Sequence, residues 1–242
     1  MTTEWHQTQA EAGILIDMKY PEYIPPILTI DSVILQLIDG ELFVLLIKRE
    51  REPFKNAYAL PGGYNPAGET TQQAMSRILK SKAGIEVDEL KLVEQLYTFD
   101  TVARDPRGHA VSVSYLGLGK DIVPEGSDTT QSPQFFSVKK LPELAYDHGK
   151  IIKYALERFA SKVTYTNAIF AILPPLFTLS QLQKAYEAVL DRPLDKRNFR
   201  KKFLSLNLAK ETNEVQMQGA HRPAKLYKFN KQSLEALSRS LD

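Results

Sequence analysis

Five of the seven residues from 196 to 202, KRNFRKK, are cations. In a helix Lys196 and Arg200 lie four apart, as do Arg197 and Lys201, so the charges share one outer face. Phe199, Phe203 and Leu206 recur at the spacing of the opposite, inward face. Duplex DNA rewards this arrangement. A helix fits the major groove, its early side chains reach base edges, and flanking cations neutralise phosphates. Arg197 and Asn198 are the candidates for base contacts. Lys201, Lys202 and, further on, His221, Arg222 and Lys225 are candidates for phosphate or minor-groove contacts, and Arg192, Lys196 and Arg200 complete the set. The competing reading is a solvated helix in a module that binds another protein.

A second constellation suits a smaller polyphosphate. Gly62 and Gly63 present backbone N–H groups, and cationic side chains nearby in sequence suit phosphate oxygens. The cations are Lys48 and Arg49 at a strand end, Arg77 on a helix, and Arg104 and Arg107 in TFDTVARDPRGHAVSVSY. Phe99 and Tyr115 flank that segment and are candidates to stack a base. A surface salt bridge is the competing reading for each arginine.

The elements that must position these residues are legible in outline. β-branched runs at 27–38 and 41–48 flank Asp39-Gly40, a hairpin signal. Further strands are expected at 90–99, 112–119 and 134–138. Helices are expected from Glu69 to about Ala83, with Glu69 as a first-turn acid, and from His148 to about Ala160. After Tyr165 the pattern changes. Thr178 and Gln181 form a capping box with Phe177 and Leu182 as its staple, and Asp195 caps the basic helix. Two short helices followed by strands alternating about Gly219 read as a winged helix. The chain therefore divides into an N-terminal arm (1–26), an α/β domain (27–147), a linker helix (148–163) and a winged helix-turn-helix (164–242).

Composition narrows the chemistry. With 43% apolar and 25% charged residues, the 242-residue chain has ordinary globular composition. It has no cysteine, which excludes disulfides, thiolate metal sites and cysteine nucleophiles. No apolar run approaches a membrane span and no signal peptide is evident, so a cytoplasmic location is expected. Residues 1–163 carry 18 Lys and Arg against 22 Asp and Glu, a net −4, whereas residues 164–242 carry 13 against 7, a net +6. The positive half is the one expected to meet a polyanion.

Gly63, Glu69, Arg77, Leu79, Gly84 and Ile85 resemble the box of the Nudix hydrolases, in which helical glutamates hold Mg2+ for diphosphate hydrolysis. Ile78, Ser81 and Lys82 stand where that family has glutamates. With LAYDHGKII and the run from AIFAILPPLF into the basic helix, the whole chain resembles the Nudix-related transcriptional regulators of NAD metabolism, the NrtR family. The resemblance implies an N-terminal Nudix α/β/α sandwich with a mixed sheet and a C-terminal winged helix-turn-helix. It implies a homodimeric repressor that releases a palindromic double-stranded DNA operator on binding ADP-ribose or a related nucleotide. Lys48, Arg49, Gly62, Gly63, Glu69, Arg77, Phe99, Arg104, Arg107 and Tyr115 are then the effector-binding set. No catalytic residue, metal or cofactor is expected, and Mg2+ is not required. Two alternatives stand beside this: a diphosphatase using substitute carboxylates such as Glu125 and Asp128, and a DNA-binding protein whose Nudix-like part is only a dimer scaffold. The helix after His148 is the expected lever between domains.

Overall fold

The structure is a computed structural model that describes residues 25–126, 131–217 and 223–241. The expected N-terminal arm up to residue 24, Asp128, the Gly219 turn, His221 and Arg222 lie outside the described residues.

The hairpin comes first. Strands β1 (Ile27–Ile38) and β2 (Glu41–Lys48) pair antiparallel with Ile38 opposite Glu41. Asp39 and Gly40 both take positive φ, as a two-residue turn matched to strand twist requires. Two short strands, β3 (Tyr58–Ala59) and β4 (Gly62–Tyr64), add to β2 and β1 and carry the glycines to the sheet. Strands β5 (Leu92–Phe99), β6 (Ala110–Leu118) and β7 (Gln131–Ser137) complete a mixed seven-stranded sheet, in which β6 runs parallel to β1.

Among the described residues, one helix covers each face. Helix α1 (Thr71–Ala83) packs Met75, Ile78 and Leu79 against Ile30, Ile34 and Leu45. Helix α2 (His148–Tyr165) packs Ile151, Ile152, Ala155 and Phe159 against Val33, Leu35, Leu116 and Leu118. Helix α1 starts two residues later than expected. Thr70 accepts from the Gln73 amide while the Gln73 side chain accepts from the Thr70 amide, so this Thr-x-x-Gln capping box leaves Glu69 before the helix rather than in its first turn. Helix α2 runs five residues past the expected end, because Phe159 and Val163 are both fully buried and keep its apolar stripe in the core.

A short 3-10 turn (Ala168–Ile172) leads into the second unit. Strand β8 (Phe177–Thr178), helix α3 (Leu179–Leu190), helix α4 (Lys196–Ser205) and strands β9 (Ala209–Gln216) and β10 (Ala224–Phe229) form a winged helix, its sheet ordered β8-β10-β9. The capping box at Thr178 and the Asp195 cap form as the spacing predicts. Glu187 fixes the turn between helices by accepting from the Leu194 amide at 2.9 Å.

The two units share one core. Phe159 and Val163 of α2 belong to the same buried cluster as Ile169 and Ile172 of the 3-10 turn and Leu182, Tyr186 and Phe203 of the winged helix. The C-terminal segment closes this seam. Asn167 exchanges hydrogen bonds with Ser233 and Glu235, the Leu237 and Leu241 amides donate to the Tyr165 and Thr164 carbonyls, and Arg239 donates to Ser205 at the end of α4. No helix among the described residues is long and apolar enough to cross a membrane.

One flaw in this core is measurable. Tyr186 is fully buried between Phe199 and Phe203, yet its hydroxyl has no hydrogen-bond partner among the described residues. An unpaired buried polar group costs about 1–3 kcal/mol. Tyr186→Phe keeps the ring and removes the orphan, so urea unfolding should show stability raised by about 1 kcal/mol. A loss of stability contradicts this packing.

Candidate functional site

The inward face of β1 and β6 changes character along its length. Toward α2 it is apolar, but at the other end it presents Thr29 and Asp31 beside Ser112 and Ser114, all buried. A carboxylate there needs a partner. Arg104 supplies it: its guanidinium donates to Asp31 at 3.2 Å and, through two nitrogens, to Asp147 at 2.7 and 3.1 Å. Ser112 donates to Asp31 at 2.6 Å. His148 completes the cluster. Its Nδ1 accepts from the Leu60 amide at 2.9 Å, so the proton of the neutral ring sits on Nε2, 3.5 Å from Asp31. Burial holds the His148 pKa below its ordinary value, against the pull of Asp31 and Asp147. Gly62 is required here, since a Cβ would fall 2.2 Å from the Asp31 carboxylate.

Above this floor opens a cleft of about 510 Å3. Of the expected effector-binding residues, it gathers Lys48, Arg49, Gly62, Gly63, Arg104 and Arg107. Arg104 is committed to its two aspartates beneath the cleft, and these contacts favour its charged form against the cost of burial. Arg107 pairs with Asp105 and donates to the Tyr64 hydroxyl. Its guanidinium lies 5.8 Å from both the Tyr64 and Tyr146 ring centres, and Arg49 covers Tyr146 at 4.8 Å.

Four residues of the expected set lie elsewhere. Glu69 and Arg77 form a bidentate ion pair, and Arg77 also donates to the Tyr64 carbonyl, bracing the loop before α1. Phe99 packs edge-on to Tyr97 and Tyr154, on the α2 side. Tyr115 is buried against α1 with its hydroxyl on Thr71. The aromatic rings at the cleft are instead Tyr64 and Tyr146. Asp31, an acid inside the apolar run ILTIDSVILQLI, was the sequence signal for the floor. Tyr146 gave none, because it reaches the cleft from a positive-φ position just before α2.

Helix α1 carries no carboxylate with which to hold a hard divalent cation. Ile78 is buried against Gly63, Ser81 donates its hydroxyl to the Ile78 carbonyl, and Lys82 lines the cleft as a cation. Glu125 is exposed and stacks on Gly84 beyond the end of α1, outside the cleft lining. Among the described residues no group of three His, Asp or Glu is placed to hold a metal ion.

The basic helix presents Lys196, Arg197, Asn198 and Lys201 to solvent, with no hydrogen-bond or ion-pair partner for these side chains among the described residues. Arg200 is partly buried and donates to Ser180 on α3 at 2.9 Å, tying the two helices together. Lys202 is half-buried and Arg192 is exposed in the turn before the helix. Lys225 on the wing pairs with Glu211 at 2.5 Å.

The buried histidine sets a pH dependence. Its folded pKa is depressed, so the unfolded chain takes up the proton first as pH falls. The contribution is full above the ordinary histidine value near ~6.5 and is lost as pH falls from there toward the folded value. Urea denaturation should show wild-type stability falling between pH ~7 and ~5, with a shallower slope in His148→Gln. Equal slopes contradict a buried neutral histidine.

Comparison with known proteins finds two families along the chain. Residues 28–157 match the NUDIX domain, and residues 169–229 match the NrtR DNA-binding winged helix domain. The chain is 34% identical over 227 residues, covering 91% of it and 88% of its relative, to the ADPR responsive transcriptional repressor NtrR of Acinetobacter baylyi. It is 36% identical over 137 residues, 56% of this chain and 76% of the other, to an ADP-ribose pyrophosphatase of Methanocaldococcus jannaschii. Shewanella oneidensis NrtR, crystallised with a 27mer DNA, is similar with a TM-score of 0.73 and 28% identity over 89% of this chain and 99% of that one. The NUDIX domain of that protein, complexed with ADP ribose, is similar with a TM-score of 0.53 and 30% identity over 61% of this chain and 97% of that one. The chain belongs to the NrtR family, a Nudix domain continued by an NrtR DNA-binding winged helix domain.

Proposed function

We propose that this protein is an ADP-ribose-responsive transcriptional repressor of genes of NAD metabolism, acting as a homodimer on a palindromic duplex operator. The observation that carries the reading is one shared core joining a cationic cleft to a helix that turns Lys196, Arg197 and Lys201 to solvent. The comparisons support it, because relatives over nearly the whole chain are a repressor responsive to ADPR and a protein crystallised with DNA.

Each part has a physical role. Helix α4 enters the major groove, where Arg197 and Asn198 meet base edges and Lys196 and Lys201 meet phosphates. In the cleft, backbone N–H groups at Gly62 and Gly63 and the side chains of Lys48, Arg49 and Arg107 hold the diphosphate, and Tyr64 and Tyr146 offer faces to the adenine. Helix α2 begins at the floor of the cleft, with Asp147 and His148, and ends in the core of the winged helix. It is the element both sites touch. ADP-ribose must bind better to the arrangement of dimer and α2 that does not fit DNA, since a ligand shifts an equilibrium only by differential affinity.

The cleft binds without cleaving. Hydrolysis of a diphosphate needs a hard cation and the oxygens to hold it, and the helix offers Ile78, Ser81 and Lys82 in their places. Binding therefore needs no Mg2+, and incubation with ADP-ribose and Mg2+ should release no AMP.

Fluorescence anisotropy of a labelled duplex from the gene's own upstream region tests the reading. Tight binding should be lost on adding ADP-ribose, and should fall steeply as salt rises. Arg197→Ala should cost about 1–3 kcal/mol and relax the preference for one base position. Binding indifferent to ADP-ribose, or to salt, overturns the proposal.

A further inference from the structure

We propose that the ammonium of Lys82 takes over the charge role of a divalent cation, making the cleft a metal-independent diphosphate site. This deepens the sensor reading and rests on it. Lys82 lies in the last turn of α1, half-buried, and lines the cleft with Gly62 and Gly63. It has no ion pair or hydrogen bond among the described residues. Several neighbouring cations are already committed. Lys80 pairs with Glu86, Arg77 with Glu69, Arg104 with Asp31 and Asp147, and Arg107 with Asp105.

A half-buried cation with no carboxylate beside it attracts a mobile anion. The same residue repels a divalent cation from this part of the helix, because Ser81 and Ile78 contribute no carboxylate to offset it. Two negative phosphates are thus neutralised by a side chain fixed to the helix, aided by Lys48 and Arg49, which line the same cleft. The chemical class of ligand is a free diphosphate, not its Mg2+ complex. Excess Mg2+ competes with the site for that ligand.

Calorimetric titration of ADP-ribose into the full-length protein, in EDTA and in excess Mg2+, tests this. Wild-type affinity should be unchanged or weaker in Mg2+. Lys82→Gln should weaken binding about tenfold or more in both buffers, while Lys82→Arg keeps it. The double variant Ser81→Glu/Lys82→Glu should bind poorly in EDTA and recover in Mg2+. Thermal melting controls for folding, since Lys82 has no partner to lose. Tighter wild-type binding in Mg2+, or wild-type affinity in Lys82→Gln, overturns the proposal. If wild-type protein binds no ADP-ribose at all, the sensor reading fails. Inorganic pyrophosphate then decides the role of Lys82: binding lost in Lys82→Gln sustains it, and no binding, or binding unaltered, overturns it.

Discussion

The buried Arg104–Asp31–Asp147 cluster is the interaction on which the cleft depends. Three segments far apart in sequence meet there: the start of strand β1, the loop before β6, and the residue preceding helix α2. Two aspartates cannot be buried together without a cation, and a buried arginine cannot be left unpaired. Each therefore requires the others. Breaking such a cluster from one side costs about 3–5 kcal/mol, because the charges left behind stay buried. The cluster also explains Gly62, whose missing Cβ makes room for the Asp31 carboxylate.

From that floor the two functions separate by charge. The cleft wall keeps several cations, and the winged helix keeps others along α4, while three aspartates at or beneath the cleft are already engaged. Asp31, Asp105 and Asp147 all hold arginines. What joins the two surfaces is apolar. Helix α2 is clamped at its start by the Arg104 cluster and near its end by Lys162, which pairs with Glu94 at 2.7 Å. Between these clamps its buried stripe runs into the core of the winged helix. A close-packed core of this kind passes on a displacement rather than absorbing it.

Much of this was legible in the sequence. The hairpin at Asp39-Gly40, the capping box at Thr178 and the Asp195 cap are local devices, and each formed where its spacing put it. The start of α1 was misplaced because the box at Thr70 and Gln73 competes with the acidic signal of Glu69. Site residues were harder. Lys48, Arg49 and Arg107 reach the cleft, but Phe99 and Tyr115 do not, because strand alternation sends them to opposite faces of the sheet, one against α2 and the other against α1. Tyr146 and the pairing of Arg104 are products of tertiary contact between remote segments, for which spacing along the chain holds no signal.

The central claim is that one structural equilibrium serves both surfaces, and thermodynamic linkage makes it testable in the reverse direction. If ADP-ribose lowers DNA affinity, DNA must lower ADP-ribose affinity by the same factor. The direct measurement is titration of ADP-ribose into the free protein and into its complex with the operator duplex. The account predicts weaker binding to the complex, by the factor seen in the anisotropy experiment. Equal affinity for the free and DNA-bound protein would contradict it.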